Sequence, residues 1–238
     1  MKFTRCLTMI LCLAMLATGM VACSSDEGGE ETSATTTTDN ATVGTCDMDE
    51  VRSEIDSMRM DAFEETNEVT DYVKFTVKDF GEFVIRLRPD IAPITVENFQ
   101  TLVGKKFYDG LTFHRIMQGF MIQGGDPKGD GTGGSDQTIK GEFGINGVCN
   151  QLSHITGVIS MARRSVPYDS ATSQFFICNH DNAARSLDGK YAGFGYVVSG
   201  LEIVLLISDV EVEASALGEV SKPVETVTIE KVCFVKVK

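Results

Sequence analysis

The segment Phe113–Asp126 places one arginine, Arg115, in a run of apolar residues that are typical of burial. A guanidinium keeps its charge at neutral pH, so burying it without a partner costs free energy. No acid follows Arg115 in this segment before Asp126. The sequence therefore leaves two interpretations open. Arg115 either reaches solvent or a distant acid, or it is the one strong donor of an apolar pocket built for a carbonyl group.

Other catalytic patterns are missing from the sequence. There is no Gly-x-Ser-x-Gly elbow for a serine nucleophile, and the glycine-rich run 124–134 lacks the Gly-Lys-Ser/Thr that holds a phosphate. Asp126 and Asp130 are spaced as in a calcium loop, but Lys128 and Gln137 occupy positions that need an acid or amide and a bidentate glutamate. The histidines are scattered along the chain. The sequence predicts no metal and no cofactor.

Charge is concentrated near the start of the chain. The 238 residues are enough for one or two domains and carry a formal net charge of −13. Residues 23–71 hold 15 acidic side chains against two arginines, whereas residues 72–238 are nearly balanced. Because no basic stripe is present, nucleic acid is not an expected partner.

The N-terminus is typical of a targeting segment. Lys2 and Arg5 precede an apolar run that is short for a membrane span and ends Met-Val-Ala-Cys at Cys23, followed by polar residues. This ending resembles a bacterial lipobox, with Met20 where leucine is more usual. An ordinary secretory signal cut near Ala22 and an uncleaved anchor are the alternatives. We expect a lipoprotein signal peptide over residues 1–22, a lipid on Cys23, and anchorage to a bacterial membrane outside the cytoplasm.

Composition divides the rest of the chain into three parts. Residues 23–46 are rich in Ser, Thr, Gly and acids, which predicts a disordered acidic tether. Residues 47–70 carry apolar residues at helical spacing and predict a short amphipathic helix or a linker. Residues 71–238 form the predicted folded domain. The cysteines after Cys23 lie too far apart for a metal site, and both disulfides and buried thiols remain open for them.

The folded part predicts short strands and two helices. Alternating apolar residues predict a hairpin over residues 72–77 and 82–87. Helical spacing predicts helices over 95–103 and 200–208. Further strand-like runs recur between glycine-rich turns at 119–123, 157–161, 174–178, 193–198 and 224–237. Without a βαβ rhythm, this order predicts a mainly β fold, a closed antiparallel β-barrel.

Four segments in this order resemble the cyclophilin family of peptidyl-prolyl isomerases, most closely its bacterial branch. They are Phe113–Asp126, Gly157–Arg163, Ala171–Cys178 and Leu187–Gly195, and the resemblance covers about residues 70–238. It implies an eight-stranded antiparallel β-barrel capped by two α-helices. It also implies an enzyme that rotates X–Pro bonds without a cofactor, and we expect a monomer.

The resemblance assigns roles to residues of the pocket. Arg115 takes the catalytic position, with the substrate amide as its partner rather than an acid of this chain. Gln123 and Gln174 each donate and accept, which suits gripping substrate backbone and orienting Arg115. Strict alternation would turn Phe120 away from Met121, so either the chain bends or the pocket wraps the strand. The substrate-binding set that the resemblance implies is Phe120, Met121, Gln123, Ala162, Gln174, Phe176, Leu187 and Tyr191.

The chain departs from many family members at the pocket rim. Ser186 stands where eukaryotic members have a tryptophan tied to cyclosporin affinity, so the resemblance gives no ground for expecting cyclosporin binding. Tyr191 replaces a histidine and keeps an aromatic ring.

Three functions remain open. One is an active isomerase that helps extracytoplasmic proteins fold, with proline-containing peptides and folding proteins as partners. The second is a non-catalytic proline-peptide-binding module, and the third is a surface protein whose acidic tether and possible helix over residues 47–65 bind a partner.

Overall fold

The computed structural model describes residues 46–216 and 218–238, which are mainly β-structure. The predicted signal peptide, Cys23 and nearly all of the predicted tether lie outside these residues. The strands are β1 (Phe63–Glu65), β2 (Tyr72–Val77), β3 (Gly81–Leu87), β4 (Arg115–Met117), β5 (Met121–Gly124), β6 (Val158–Met161), β7 (Phe175–Cys178), β8 (Gly193–Ser199), β9 (Val212–Ala214), β10 (Val220–Pro223) and β11 (Ile229–Val237).

Four α-helices and three 3₁₀ turns complete the elements of the described ranges. The helices are α1 (Met48–Glu54), α2 (Pro93–Gly104), α3 (Ala184–Leu187) and α4 (Leu201–Ser208), and the 3₁₀ turns are Met60–Ala62, Gly144–Asn146 and Asp181–Ala183. None of the helices in the described ranges is long and apolar enough to cross a bilayer.

The strands form one large antiparallel sheet and one small ribbon. The sheet has nine strands in the order β1-β11-β2-β3-β8-β6-β7-β5-β4, and β9 pairs only with β10 within the described residues. The sheet therefore has one strand more than the eight that were predicted for the barrel. The additional strand is β1, which pairs with β11 from Phe63 to Glu65. Three residues are too few to show a period-two pattern in the sequence.

The two longer helices match their predicted positions closely. Helix α2 starts two residues earlier than predicted, at Pro93, because a proline is well suited to the first helical turn. Its buried face carries Phe99, which packs against the ring of Phe175 at 6.0 Å. Phe175 also contacts Phe75, Tyr108 and Phe113 at centroid distances of 5.5 to 6.1 Å. This aromatic cluster is the centre of the core.

Residues before the predicted domain also pack on the sheet. Helix α1 starts after Asp47, whose carboxylate accepts from the Asp49 amide at 2.9 Å. Val51 is fully buried. The Glu54 carboxylate accepts from Arg86 and from the Tyr196 hydroxyl. The helix ends at Glu54, so the helical spacing seen farther along the sequence does not continue as helix.

We expect the Glu54 contacts to contribute stability that depends on pH. Burial opposes ionisation of Glu54, but hydrogen bonds from Tyr196 and Arg86 outweigh it and lower the pKa of Glu54 below 4.5. A lowered folded-state pKa gives stability that is present above the unfolded-state value and is lost as pH falls through the folded-state value. At pH 7, Glu54→Gln should lower the free energy of unfolding by about 1–2 kcal/mol.

Urea unfolding of the full chain at pH 7 and pH 3 measures this difference. The gap between wild type and Glu54→Gln should shrink at pH 3. Glu50→Gln, on the exposed side of the same helix, serves as the control and should match wild type. An equal gap at both pH values would contradict the assignment.

Candidate functional site

One cross-strand row carries the polar and aromatic side chains of the site. In the antiparallel register, Arg115 on β4 faces Gln123 on β5, and Gln123 faces Phe176 on β7. Phe176 in turn faces Ser160 on β6. Directly opposed residues in a sheet place their side chains on the same face. Residues from four strands are thereby aligned beside one another.

This row opens on a small pocket with apolar walls. The pocket has a volume of about 240 Å³. Three of its apolar lining residues, Met121, Phe176 and Leu187, are buried. The lining consists of Arg115, Phe120, Met121, Gln123, Ala162, Arg163, Phe176, Leu187 and Tyr191. Every predicted site residue except Gln174 lines this pocket.

Gln174 lines a neighbouring pocket of about 410 Å³. The two pockets share Gln123, Ala162 and Arg163. The far side of the second pocket is the loop 131–135. The predicted residues therefore fall into two adjoining pockets, and Gln123 lies at their boundary.

A chain of hydrogen bonds connects the two pockets to the guanidinium. The Gln174 amide donates to the carbonyl of Gly133 at 2.7 Å. Gln123 donates to Gln174 Oε1 at 2.9 Å, and Arg115 Nη1 donates to Gln123 Oε1 at 3.1 Å. Gln123 accepts from Arg115 and donates to Gln174, whereas Gln174 accepts from Gln123 and donates to Gly133. The bond between Arg115 and Gln123 has the geometry that the predicted orienting role of Gln123 requires. Gln174 is connected to Arg115 only through Gln123.

A turn before β5 explains how Phe120 and Met121 both reach the pocket. The Phe120 amide donates to the Met117 carbonyl at 3.1 Å, and Gly119 has φ +73°. This left-handed conformation favours glycine. Strand β5 starts only at Met121, so strict alternation does not apply to Phe120. The chain bends at Gly119, which was one of the two alternatives.

The structure corrects the prediction that Arg115 has no acid partner in the chain. Glu219 accepts from Arg115 Nε at 2.6 Å and from Nη2 at 2.8 Å. The bond from Arg115 lowers the pKa of Glu219 to about 2, which burial opposes and a bond with Ser221 assists. Glu219 lies 104 residues away in sequence, so no local pattern could indicate it. Arg115 both pairs with a distant acid and lines the apolar pocket.

A network of hydrogen-bonded side chains lies next to Phe176. His154 Nδ1 contacts Asp188 Oδ1 at 2.8 Å, and its Nε2 contacts Ser160 Oγ at 3.0 Å. The His154 ring stacks on Phe176 at 6.0 Å. Burial opposes ionisation of Asp188, but bonds from His154 and Ser153 lower its pKa. The carboxylate accepts from Nδ1, and Nε2 shares a second hydrogen bond with the serine hydroxyl, so both ring nitrogens have partners.

The hydrogen bonds link Ser160, His154 and Asp188 in the order of a Ser-His-Asp triad, but the serine is not accessible to a substrate. Ser160 has no exposed surface, so a substrate carbonyl cannot reach its hydroxyl. Its role is to hold the pocket wall. No sequence pattern indicated it, because His154 lies in the loop before β6 and Asp188 follows α3, 34 residues farther along the chain.

The rim of the pocket is held by Arg163. Its guanidinium lies over the rings of Tyr191, Phe143 and Tyr168 at 4.6, 4.8 and 5.0 Å. Tyr191 then meets Phe176 edge-on at 5.7 Å. Cation–π contacts of this kind fix both partners. Ser186, which the resemblance placed at the pocket rim, is exposed on α3 and is not part of the pocket lining.

The arrangement suits non-covalent chemistry. The pocket combines apolar walls with a guanidinium donor, and no nucleophile is among its lining residues. Cys178 lies nearby, but burial raises the pKa of its thiol and keeps it protonated. Among the residues described, no group of three or more His, Cys, Asp or Glu is placed to hold a metal ion. Such a pocket can bind an apolar ring and orient an adjacent amide.

Comparisons with known proteins agree on one family. The family model described as cyclophilin type peptidyl-prolyl cis-trans isomerase/CLD matches residues 72–233. The peptidyl-prolyl cis-trans isomerase B of Bacillus subtilis (strain 168) is 43% identical over 138 residues, covering 58% of this chain and 91% of that protein. The peptidyl-prolyl cis-trans isomerase A of Dickeya dadantii (strain 3937) is 42% identical over 136 residues, covering 56% and 69%.

A solved structure is similar as well. A cyclophilin type peptidyl-prolyl cis-trans isomerase of Cryptosporidium parvum, crystallised in the presence of the dipeptide Ala-Pro, superposes with a TM-score of 0.60 at 26% identity. The similarity covers 68% of this chain and 98% of that chain.

Proposed function

The chain belongs to the cyclophilin-type peptidyl-prolyl cis-trans isomerase family and is an enzyme of that class, and we propose that it accelerates X–Pro bond rotation in proteins that fold outside the cytoplasm. The observation that carries the reaction is the position of Arg115, whose Nη1 edge meets the apolar pocket beside Met121 and Gln123. We infer proline-containing peptides and folding proteins as substrates.

The reaction needs selective binding of a twisted amide. Rotation about an X–Pro bond crosses a barrier of about 20 kcal/mol because resonance makes the C–N bond partly double. In the twisted state the proline nitrogen regains a lone pair. A guanidinium that donates to this nitrogen, or holds the carbonyl oxygen, favours the twisted amide over the planar one. Arg115 supplies this donor without proton transfer.

The pocket walls hold the proline ring while the amide rotates. Met121, Phe176 and Leu187 offer apolar surface that makes no hydrogen-bonding demand. The volume of about 240 Å³ lies below the roughly 300–1,000 Å³ of clefts for drug-sized ligands, so it suits a compact ring. The relative crystallised in the presence of Ala-Pro supports the same ligand class.

Exchange NMR on a short X–Pro peptide with the full chain tests the proposal. We expect separate cis and trans signals to exchange faster with wild type than without protein. Peptide signals that shift on binding while the exchange rate stays at the uncatalysed value would instead indicate a non-catalytic binding module.

We propose that the protein is a lipoprotein anchored through Cys23 to a bacterial membrane, with residues 1–22 as its signal peptide. The lipobox-like ending before Cys23 and the acidic, polar segment that follows support this. An acyl chain contributes about 0.8 kcal/mol per buried methylene, so more than one chain anchors a protein firmly.

Cys23→Ser should release the protein from the membrane fraction or leave it unprocessed. Cys46→Ser, which alters the next cysteine along the chain, is the matched control and should fractionate like wild type. Fractionation and intact mass measure the outcome. A Cys23→Ser protein that keeps its lipid mass and its place in the membrane fraction would rule out this anchor.

We also propose that eight strands of the sheet, in the order β11-β2-β3-β8-β6-β7-β5-β4, close into a barrel and that the chain acts as a monomer. Closure is supported by backbone pairing between the segment before β4 and the region where β11 begins. The Gly110 amide donates to the Ile229 carbonyl, and the Ile229 amide donates to the Leu111 carbonyl, both at 2.8 Å. An antiparallel bridge between Thr112 and Thr228 lies beside them.

A further inference from the structure

Both carboxylate oxygens of Glu219 accept hydrogen bonds from the guanidinium of Arg115. The bonds to Nε and Nη2 measure 2.6 and 2.8 Å, which is the fork geometry of a bidentate pair. Glu219 directly precedes β10, and β10 packs against β4, where Arg115 lies. Its backbone is also held, because its carbonyl accepts from the Ser215 amide at 2.7 Å. The carboxylate therefore reaches the arginine from the start of β10, which is paired with β9 in a hairpin.

The donors of Arg115 divide into two sets. A guanidinium has five N–H groups. The edge formed by Nε and Nη2 bonds Glu219, and Nη2 also contacts Met117 Sδ at 3.0 Å. Nη1 contacts Gln123 Oε1 at 3.1 Å and Met121 Sδ at 3.7 Å.

The two sets of acceptors lie on different sides of the pocket wall. Met121 and Gln123 line the 240 Å³ pocket, whereas Glu219 and Met117 are not among its lining residues. A thioether sulfur is a weak acceptor, so a substrate oxygen or nitrogen can replace Met121 Sδ at Nη1 at little cost. Glu219 can therefore keep its bonds while Nη1 acts on the substrate.

The pair contributes to position more than to stability. The side chains of Arg115 and Glu219 are 31% and 37% exposed. Exposed ion pairs contribute little to stability. The arginine side chain, however, has several freely rotating bonds, and a bidentate pair confines it to one orientation. Removing the Glu219 carboxylate should therefore affect catalysis more than stability.

We propose that Glu219 is a positioning residue: it binds the Nε and Nη2 edge of the Arg115 guanidinium and thereby directs Nη1 toward the X–Pro amide. This role rests on the proposed function of Arg115. Glu219 stays ionised across the neutral range, since its pKa is lowered to about 2. Without the two bonds to Glu219, the Arg115 side chain is free to leave the orientation that the reaction needs.

The test compares Glu219→Ala and Glu219→Gln with Glu213→Gln in the full chain. Glu213 lies in the same hairpin and pairs with Lys222 at 2.7 Å on the surface, so it is the matched control. A misplacement of 1 Å can cost about 100-fold in rate, and we expect Glu219→Ala to slow catalysed exchange about tenfold. Glu219→Gln keeps one acceptor oxygen and should recover part of that loss.

Two further readouts separate positioning from a structural role. Peptide affinity, from NMR titration, should change less than the exchange rate of bound peptide. The Arg115 Nε–Hε signal should be observed in wild type and Glu213→Gln, and should broaden or vanish in Glu219→Ala. The unfolding midpoint in urea should stay close to wild type in all three variants.

The outcomes distinguish this role from the proposed function. A wild type that does not exceed the uncatalysed rate would overturn both. An active wild type whose rate is equalled or exceeded by Glu219→Ala would overturn the positioning role alone. An equal loss of rate in Glu213→Gln would also overturn it, by assigning the effect to the hairpin as a whole.

Discussion

Replacing Arg115 with alanine should lower kcat/KM for an X–Pro peptide by about 100- to 1,000-fold, the loss typical of removing one preorganised donor from a site where charge develops. The other guanidinium of the lining, that of Arg163, donates to the carbonyls of Lys190 and Arg164, so it does not replace this donor. Because Arg115 and Glu219 are about one-third exposed, the variant should stay folded. Exchange NMR measures the rate, and urea unfolding measures the stability.

Two further variants sharpen the Arg115 result. Arg115→Lys keeps the positive charge but loses the planar fork, so it should recover only a small part of the rate. Arg59→Ala removes an exposed arginine that pairs with Asp61 outside the pocket, and it should match wild type. If Arg115→Ala keeps a rate within a few-fold of wild type, the donor mechanism is wrong.

Phe175 and Phe176 should separate stability from activity. Adjacent strand residues point to opposite faces, so Phe175 enters the aromatic core while Phe176 lines the pocket. Phe175→Ala should lower the free energy of unfolding by about 3–5 kcal/mol, the range for large-to-small changes in a core. The rings of Phe99 and Tyr108 would lose a packed neighbour.

Phe176→Ala should instead reduce activity more than stability. One face of its ring borders an open pocket, so its removal creates less enclosed cavity than removal of Phe175. We expect a loss of about 10- to 100-fold in kcat/KM, in line with 1–3 kcal/mol of transition-state binding. Urea unfolding and exchange NMR on both variants measure the two effects. Equal destabilisation by both substitutions would contradict the assignment of the two faces.

The parts of the fold that were predicted are those with a long, regular pattern. Strand β2 and helix α2 carry six and twelve residues with clear periods, and both lie close to their predicted bounds. Strands β1, β4 and β9 have three residues each and were not predicted. A three-residue strand is stabilised by its neighbours in the sheet, which the local sequence does not show.

The sequence by itself determined the longer strands, helix α2 and the apolar run around Arg115, because these depend on residues close together along the chain. The rest of the pocket wall was assigned through the resemblance of four segments to a known family. The tertiary structure alone decided what holds that arginine and that wall. Glu219 meets Arg115 across 104 residues, and His154 meets Asp188 across 34. The first contact follows from the packing of β10 against β4, and the second from the loop before β6 meeting the end of α3. Neither arrangement leaves a periodic signal in the sequence.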